Sequence, residues 1–127
     1  MIVVDASAAL SALLNDGSAR HVLSVEQLHA PHLIDAEVAS GLRRLVQRHE
    51  IPIGSGRAAL TAWPSVGVIR YPMPGLLVRV WDLRENLSAY DACYVALAEA
   101  LGCPLVTADA RLDRASGVRC DVTVVAR

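Results

Sequence analysis

The chain opens on an unbroken apolar triplet, Ile2-Val3-Val4, before its first charge at Asp5. Such a run suits a short strand buried on both faces, as in a parallel sheet. Ala8-Ala9-Leu10 through Leu14 reads as a helix, and Asn15-Asp16-Gly17-Ser18 is turn chemistry. Residues 19–27 predict a second short helix, with Ala30-Pro31 breaking the pattern. Between 33 and 49 the apolar positions Leu33, Ile34, Val38, Leu42, Leu45 and Val46 mark one face of a helix, which Ile51-Pro52-Ile53-Gly54 ends. Another helix is expected over 55–63, capped by Ser55 and closed near Trp63-Pro64. Val66 to Tyr71 predicts a strand, and Pro74 to Leu83 a helix with proline near its first turn. Ser88 as N-cap and Gly102 as the terminating residue bound a late helix. Leu105-Val106-Thr107 and Asp121 to Val125 predict two strands, with a helical turn over 109–115 between them. Strands alternating with helices imply an α/β fold with a parallel sheet covered on both faces.

In such a sheet ligands gather at the carboxyl ends of the strands. Asp5 follows the first strand directly, and Asp109 lies two residues after Leu105–Thr107. Each could equally be a helix N-cap, since a helix follows both. Glu37 is more telling. The series Leu33, Glu37, Gly41, Leu45 runs beside Ile34, Val38, Leu42, Val46, so Glu37 lies within the apolar stripe, away from Arg43, Arg44 and Gln47. An unpaired buried carboxylate costs several kcal/mol, so Glu37 is expected to be paired, protonated or metal-bound unless the helix rolls to expose it. Gly41, one turn on, leaves room for close approach of backbone or ligand. Asp91 sits in a Ser88-Ala-Tyr-Asp91 capping-box pattern and is followed by an almost wholly apolar helix, so its carboxylate should point into a cleft. Asp35 is expected to be solvated, Asp113 could join a second metal site, and Asp121 reads as a turn residue.

Composition narrows the chemistry. The 127 residues are 54% apolar and 20% charged, with a net charge of −1. One domain spanning residues 1–127 is expected, burying roughly two-thirds of its unfolded surface. All twelve basic residues are arginine; a P-loop and Schiff-base chemistry both need the lysine this chain lacks. Phenylalanine is absent too, and GC-rich coding accounts for both gaps. Cys93, Cys103 and Cys120 form neither a disulfide framework nor a zinc pattern, and the four histidines, with no metal spacing, are expected to be solvated or loosely packed. No apolar run is long enough to span a membrane. No export signal is read at the start, so a cytoplasmic setting is expected.

Four carboxylates on separate segments, brought together, must be neutralised. A hard divalent cation prefers oxygen ligands, and Mg²⁺ or Mn²⁺ suits an all-carboxylate site completed by water. Such ions activate water and stabilise phosphoryl charge, so phosphodiester hydrolysis is the leading reaction.

Ile2-Val3-Val4-Asp5-Ala6-Ser7-Ala8, Glu37 on the third helix, Tyr90-Asp91-Ala92, and Leu105-Val106-Thr107-Ala108-Asp109 together resemble the PIN-domain motifs. Size and element order are similar to VapC-type toxins of bacterial toxin–antitoxin pairs. The resemblance covers essentially the whole chain. It implies a PIN-like three-layer sandwich, with a short mostly parallel sheet flanked by helices. It also implies a Mg²⁺- or Mn²⁺-dependent endoribonuclease, dimeric, and inhibited by a small VapB-type antitoxin. By position, Asp5, Glu37, Asp91 and Asp109 match the family's acidic quartet, Thr107 its Ser/Thr near the metal, and Ser7 the hydroxyl two residues after the first Asp. For the last two, a strand residue and a helix cap are the plain alternatives.

Arg43, Arg44 and Arg48 cluster on one helix, and Arg111 and Arg114 follow Asp109; they could supply a local phosphate-binding patch or a solvated face. Other readings are a catalytically silent PIN-like partner-binding module and a phosphatase or phosphotransfer domain. The second lacks a late lysine and has Ser7 where a second acid would stand. Trp63, Tyr71 and Trp81 lie away from every acidic motif. Either they fill the core in place of phenylalanine, or at least one tryptophan is shielded by a second copy or by the antitoxin.

Overall fold

The computed structural model describes all residues, 1–127. The strands β1 (Ile2–Val4), β2 (Leu28–Pro31), β3 (Val68–Tyr71), β4 (Leu105–Thr107) and β5 (Val122–Val124) form one sheet in the order β3-β2-β1-β4-β5. Every neighbouring pair is parallel, with Val3 of the central strand between His29 and Leu105. Helices α1 (Ala6–Leu14) and α2 (Ser18–Val25) connect β1 to β2. Helices α3 (Ile34–Gln47) and α4 (Ile53–Ala62) connect β2 to β3, α5 (Leu77–Asp82) and α6 (Ala89–Leu101) connect β3 to β4, and α7 (Arg111–Arg114) precedes β5. All residues of β1 and β4 are buried, because helices cover both faces of the sheet there.

The chain leaves β1 toward β2 and β3 on one side, then returns to β4 and β5 on the other. The connections therefore diverge between β1 and β4, the switch point at which open α/β sheets leave a crevice. The walls of that crevice follow from packing. Helix α6, buried from Ala92 to Ala98, lies against β1, β2 and β4. Helix α1 lies against β4 and α3, and α3 carries α4. Gly41 allows the α1–α3 approach: a Cβ there would overlap a δ-methyl of Leu10. Gly102 ends α6 at φ +66°, a left-handed turn that costs glycine little.

Several local expectations are corrected. Strand β2 was hidden in the sequence, because His29 and Pro31 interrupt its apolar pattern, yet all four of its residues are buried. His29 is not solvated: it is 4% exposed, with Nδ1 2.7 Å from the Tyr71 hydroxyl. Pro31 is tolerated because the β1–β2 register stops at Val3–His29, two residues earlier. Helix α4 begins at Ile53 after Pro52, so Ser55 is inside the helix and caps nothing. The segment from Pro74 starts as a 3-10 turn and becomes α-helical only at Leu77. Asp35 is exposed, as expected, although it takes two guanidinium hydrogen bonds from Arg70, both at 2.8 Å, and one from Trp63 Nε1 at 2.7 Å. Trp63 belongs to the core, whereas Trp81 is 66% exposed.

Candidate active site

Asp5 leaves β1 as the N-cap of α1, its Oδ1 accepting from the Ala8 amide at 2.9 Å. Asp5 is thus both the helix cap and the acidic residue at the strand end. Ser7 Oγ donates to the same Oδ1 at 2.7 Å, and Thr107 Oγ1 donates to Oδ2 at 2.5 Å. The two hydroxyls in turn accept from the amides of Ala108 and Asp109, at 2.9 and 3.0 Å. Each hydroxyl proton is therefore spent on Asp5, and the ends of β1 and β4 are laced together through the carboxylate. Ser7 is not a cap; it bridges the two strands. Burial pushes the Asp5 carboxyl above its ordinary range, opposed by these three donors and reinforced by Asp91.

Glu37 projects from the first turn of α3, half-buried, and its Oε1 accepts from the Tyr94 hydroxyl of α6 at 2.6 Å. Burial again raises its pKa; the Tyr94 bond opposes the rise, and Asp91 and Asp5 add to it. Asp91 stands in the first turn of α6, where Ser88 Oγ accepts from its amide at 3.2 Å. Only this half of the capping box forms, which leaves the Asp91 carboxylate free to face the cleft. Its pKa is raised by burial first and then by Asp109. Asp109 differs from the other three. It accepts from the Arg111 amide at 3.0 Å and from the Arg111 guanidinium, with Nη2 2.6 Å from Oδ2. That pairing holds its pKa below the ordinary range.

All four carboxylates, with Ser7 and Tyr94, line a single cleft of about 630 Å³. They are within electrostatic reach of one another, Asp5 with Glu37 and Asp91, and Asp91 with Asp109. Asp113, Asp35 and Asp121 do not line the cleft, and Asp113 is exposed on α7. The arginines along α3 and its C-cap divide: Arg44 and Arg48 line this cleft with Glu37, correcting the expectation that Glu37 lies away from Arg44, while Arg43 faces an apolar groove between α3 and α4 with Arg57.

An all-oxygen donor set whose members raise one another's pKa fits a hard divalent cation. No three acidic, histidine or cysteine side chains form a closed cage as they stand. Asp5, Glu37, Asp91 and Asp109 are the residues that could hold such an ion, with water completing its shell.

Three contributors escaped sequence reasoning. Tyr94 is a polar residue amid the apolar run of α6, one turn beyond Asp91, and that placement was the available signal. The Arg111 pairing was readable from its spacing to Asp109. The division of the α3 arginines needed only a helical wheel.

The PIN-domain family model matches residues 2–118. Ribonuclease VapC9 of Mycobacterium tuberculosis is 61% identical over 127 residues, covering 100% of both chains. Ribonuclease VapC1 of the same organism is 46% identical, covering 97% of this chain and 96% of that one. The fold also recurs in a chain of a toxin-antitoxin complex from Klebsiella pneumoniae, with a TM-score of 0.69 at 19% identity and 100% coverage of both chains. With a family model spanning almost its whole length and full-length relatives this similar, the chain belongs to the PIN-domain family, and within it to the VapC type.

Proposed function

We propose that this chain is a metal-dependent endoribonuclease, using Mg²⁺ with Mn²⁺ as a substitute, and the toxin of a VapBC-type toxin–antitoxin pair. The observation that carries the reading is the meeting of Asp5, Glu37, Asp91 and Asp109, from four separate segments, in one cleft at the switch point of the sheet. The ribonuclease names of relatives at 61% and 46% identity support RNA as the substrate. The fold shared with a chain of a toxin-antitoxin complex supports a VapB-type antitoxin as partner, and we infer a homodimer acting in the cytoplasm. No helix is long and apolar enough to cross a membrane. A silent binding module and a phosphatase both account less well for four acids kept in one cleft.

In this reading the four carboxylates hold the ion. When bound, the ion supplies a Lewis acid that activates water and stabilises charge on the phosphoryl oxygens. The chain's own residues set the geometry. Thr107, Ser7 and the Ala8 amide fix both Asp5 oxygens, so this carboxylate cannot rotate. Tyr94 fixes one Glu37 oxygen and leaves the other toward the cleft. One carboxylate of the quartet would take a proton from the attacking water and pass it to the departing 3′-oxygen. Asp109 stays anionic throughout. Water adds to phosphorus in line with the departing 3′-oxygen, the P–O3′ bond breaks, and the products carry a 5′-phosphate and a 3′-hydroxyl.

The test is cleavage of structured RNA by the chain purified free of any antitoxin. Cuts with those end groups in Mg²⁺, abolished by EDTA and restored by Mg²⁺ or Mn²⁺, are expected. Cleavage that persists in EDTA would refute the metal dependence.

A further inference from the structure

The cleft has two chemically distinct ends. At 3.6 residues per turn, Arg44 and Arg48 fall within about 20° of Glu37 around the axis of α3, about 10 and 16 Å further along it. Both line the cleft that holds the acids, and neither makes an ion pair. The Arg44 side chain makes one hydrogen bond, to Ser40 Oγ at 3.3 Å, and the Arg48 side chain makes none. Glu50 also lines this end but lies outside ion-pair distance of either arginine. Leu10, Leu14, Leu45 and Ile51 add apolar surface to the same cleft.

Resting on the ribonuclease reading above, we propose that the Arg44–Arg48 end is a phosphate track for the strand flanking the scissile bond. Its ligand is single-stranded RNA, with a base lying on the apolar side chains that line the cleft. The charge order fits. The scissile phosphate belongs among the carboxylates, which need a cation to receive it, and the neighbouring phosphates belong at unpaired guanidiniums, which need an anion. The size fits as well. A cleft of about 630 Å³ holds a ligand of drug-like size, on the order of one or two nucleotides of an unpaired strand. A basic groove beside an apolar platform is how unpaired strands are held without reading every base. Arg43 and Arg57, on the other side of α3, take no part.

The test measures binding apart from cleavage. Fluorescence anisotropy with a short single-stranded oligoribonucleotide, in EDTA, compares wild type, R44A/R48A and the control R43A/R57A over a range of salt. Two lost phosphate contacts lower the magnitude of the log–log salt slope by about 1.4 for a single strand. We expect that change in R44A/R48A with at least a tenfold loss of affinity, recovery in R44K/R48K, and wild-type behaviour in R43A/R57A. Equal affinity and slope in wild type and R44A/R48A would overturn the track. So would a wild type that binds no RNA, or an R44A/R48A variant impaired only in holding the antitoxin, which would make this end a protein site. A wild type that binds with the expected slope but does not cleave in Mg²⁺ would support the track and count against the nuclease reading alone.

Discussion

The Tyr94 hydroxyl lies 2.6 Å from Oε1 of Glu37, joining α6 to α3 across the mouth of the cleft. Tyr94 is 1% exposed, and the bond satisfies both a buried phenol and a half-buried carboxylate. Removing it frees the Glu37 side chain to rotate. Tyr94→Phe should cost about 1–2 kcal/mol in a denaturant melt and weaken divalent-ion binding measured by calorimetry, with circular dichroism unchanged. Unaltered ion affinity would show that Tyr94 serves the core alone.

Three of the four acids hold protons more tightly in the folded chain than in the unfolded one, because burial raises Asp5, Glu37 and Asp91. Their contribution to metal-free stability is therefore greatest below the ordinary carboxylate range and falls as pH rises through their folded values. Asp109 has the opposite sign: Arg111 lowers its pKa, so its contribution is present above the ordinary value and is lost in acid. With three groups against one, these four together should make the metal-free chain less stable as pH climbs above about 4. Mg²⁺ should reverse that trend, since it binds the ionised forms. Thermal melts of wild type and the triple variant D5N/E37Q/D91N, across pH and with or without Mg²⁺, isolate the contribution. A wild-type slope identical to that of the variant would contradict it.

Arg111 occupies Asp109 from a side chain that is 81% exposed, so the contact is easily broken. Arg111→Ala should leave the melting temperature almost unchanged and raise the affinity for Mn²⁺, because the carboxylate no longer has to be released. Electron paramagnetic resonance of free Mn²⁺ during a titration reads this directly. A weaker affinity in the variant would mean that Arg111 organises Asp109 for the ion.

How much of this was legible in the sequence depends on the kind of signal. Strands β1 and β4 are pure apolar triplets followed by an acid, so both the strand and the residue at its end could be read at once. Glu37 was legible as an acid in an apolar stripe. Strand β2 was not, since a central strand carrying His29 and Pro31 is recognisable only once Tyr71 is known to satisfy the imidazole and β1 is known to end before the proline. Asp35 is exposed as read, but its partners, Trp63 and Arg70, escaped the reading because they are about thirty residues away and on other elements. The α3 arginines looked like one patch because they are adjacent in sequence, but adjacent helical residues point about 100° apart.

Trp63 and Trp81 divide the two expectations made for the aromatic residues. Trp63 is a core residue bonded to Asp35, and Trp81 lies open on α5 under the guanidinium of Arg84, 4.7 Å from the ring centroid. In a Trp63→Phe background, Trp81 emission should shift to the blue when the homodimer or the antitoxin complex forms. An unchanged spectrum in both assemblies would place Trp81 outside either interface.

The most direct test of the account is ion binding and RNA cleavage measured side by side on wild type, Asp5→Asn and Asp91→Asn. These isosteric changes remove charge while keeping volume; thermal melts without metal should show Asp91→Asn at least as stable as wild type, and Asp5→Asn folded but less stable, because its amide NH2 opposes one of the donors now held by the carboxylate. The account predicts that calorimetric Mg²⁺ binding and cleavage are lost together in each variant. A folded variant that has lost the ion yet cleaves RNA at the wild-type rate would contradict it.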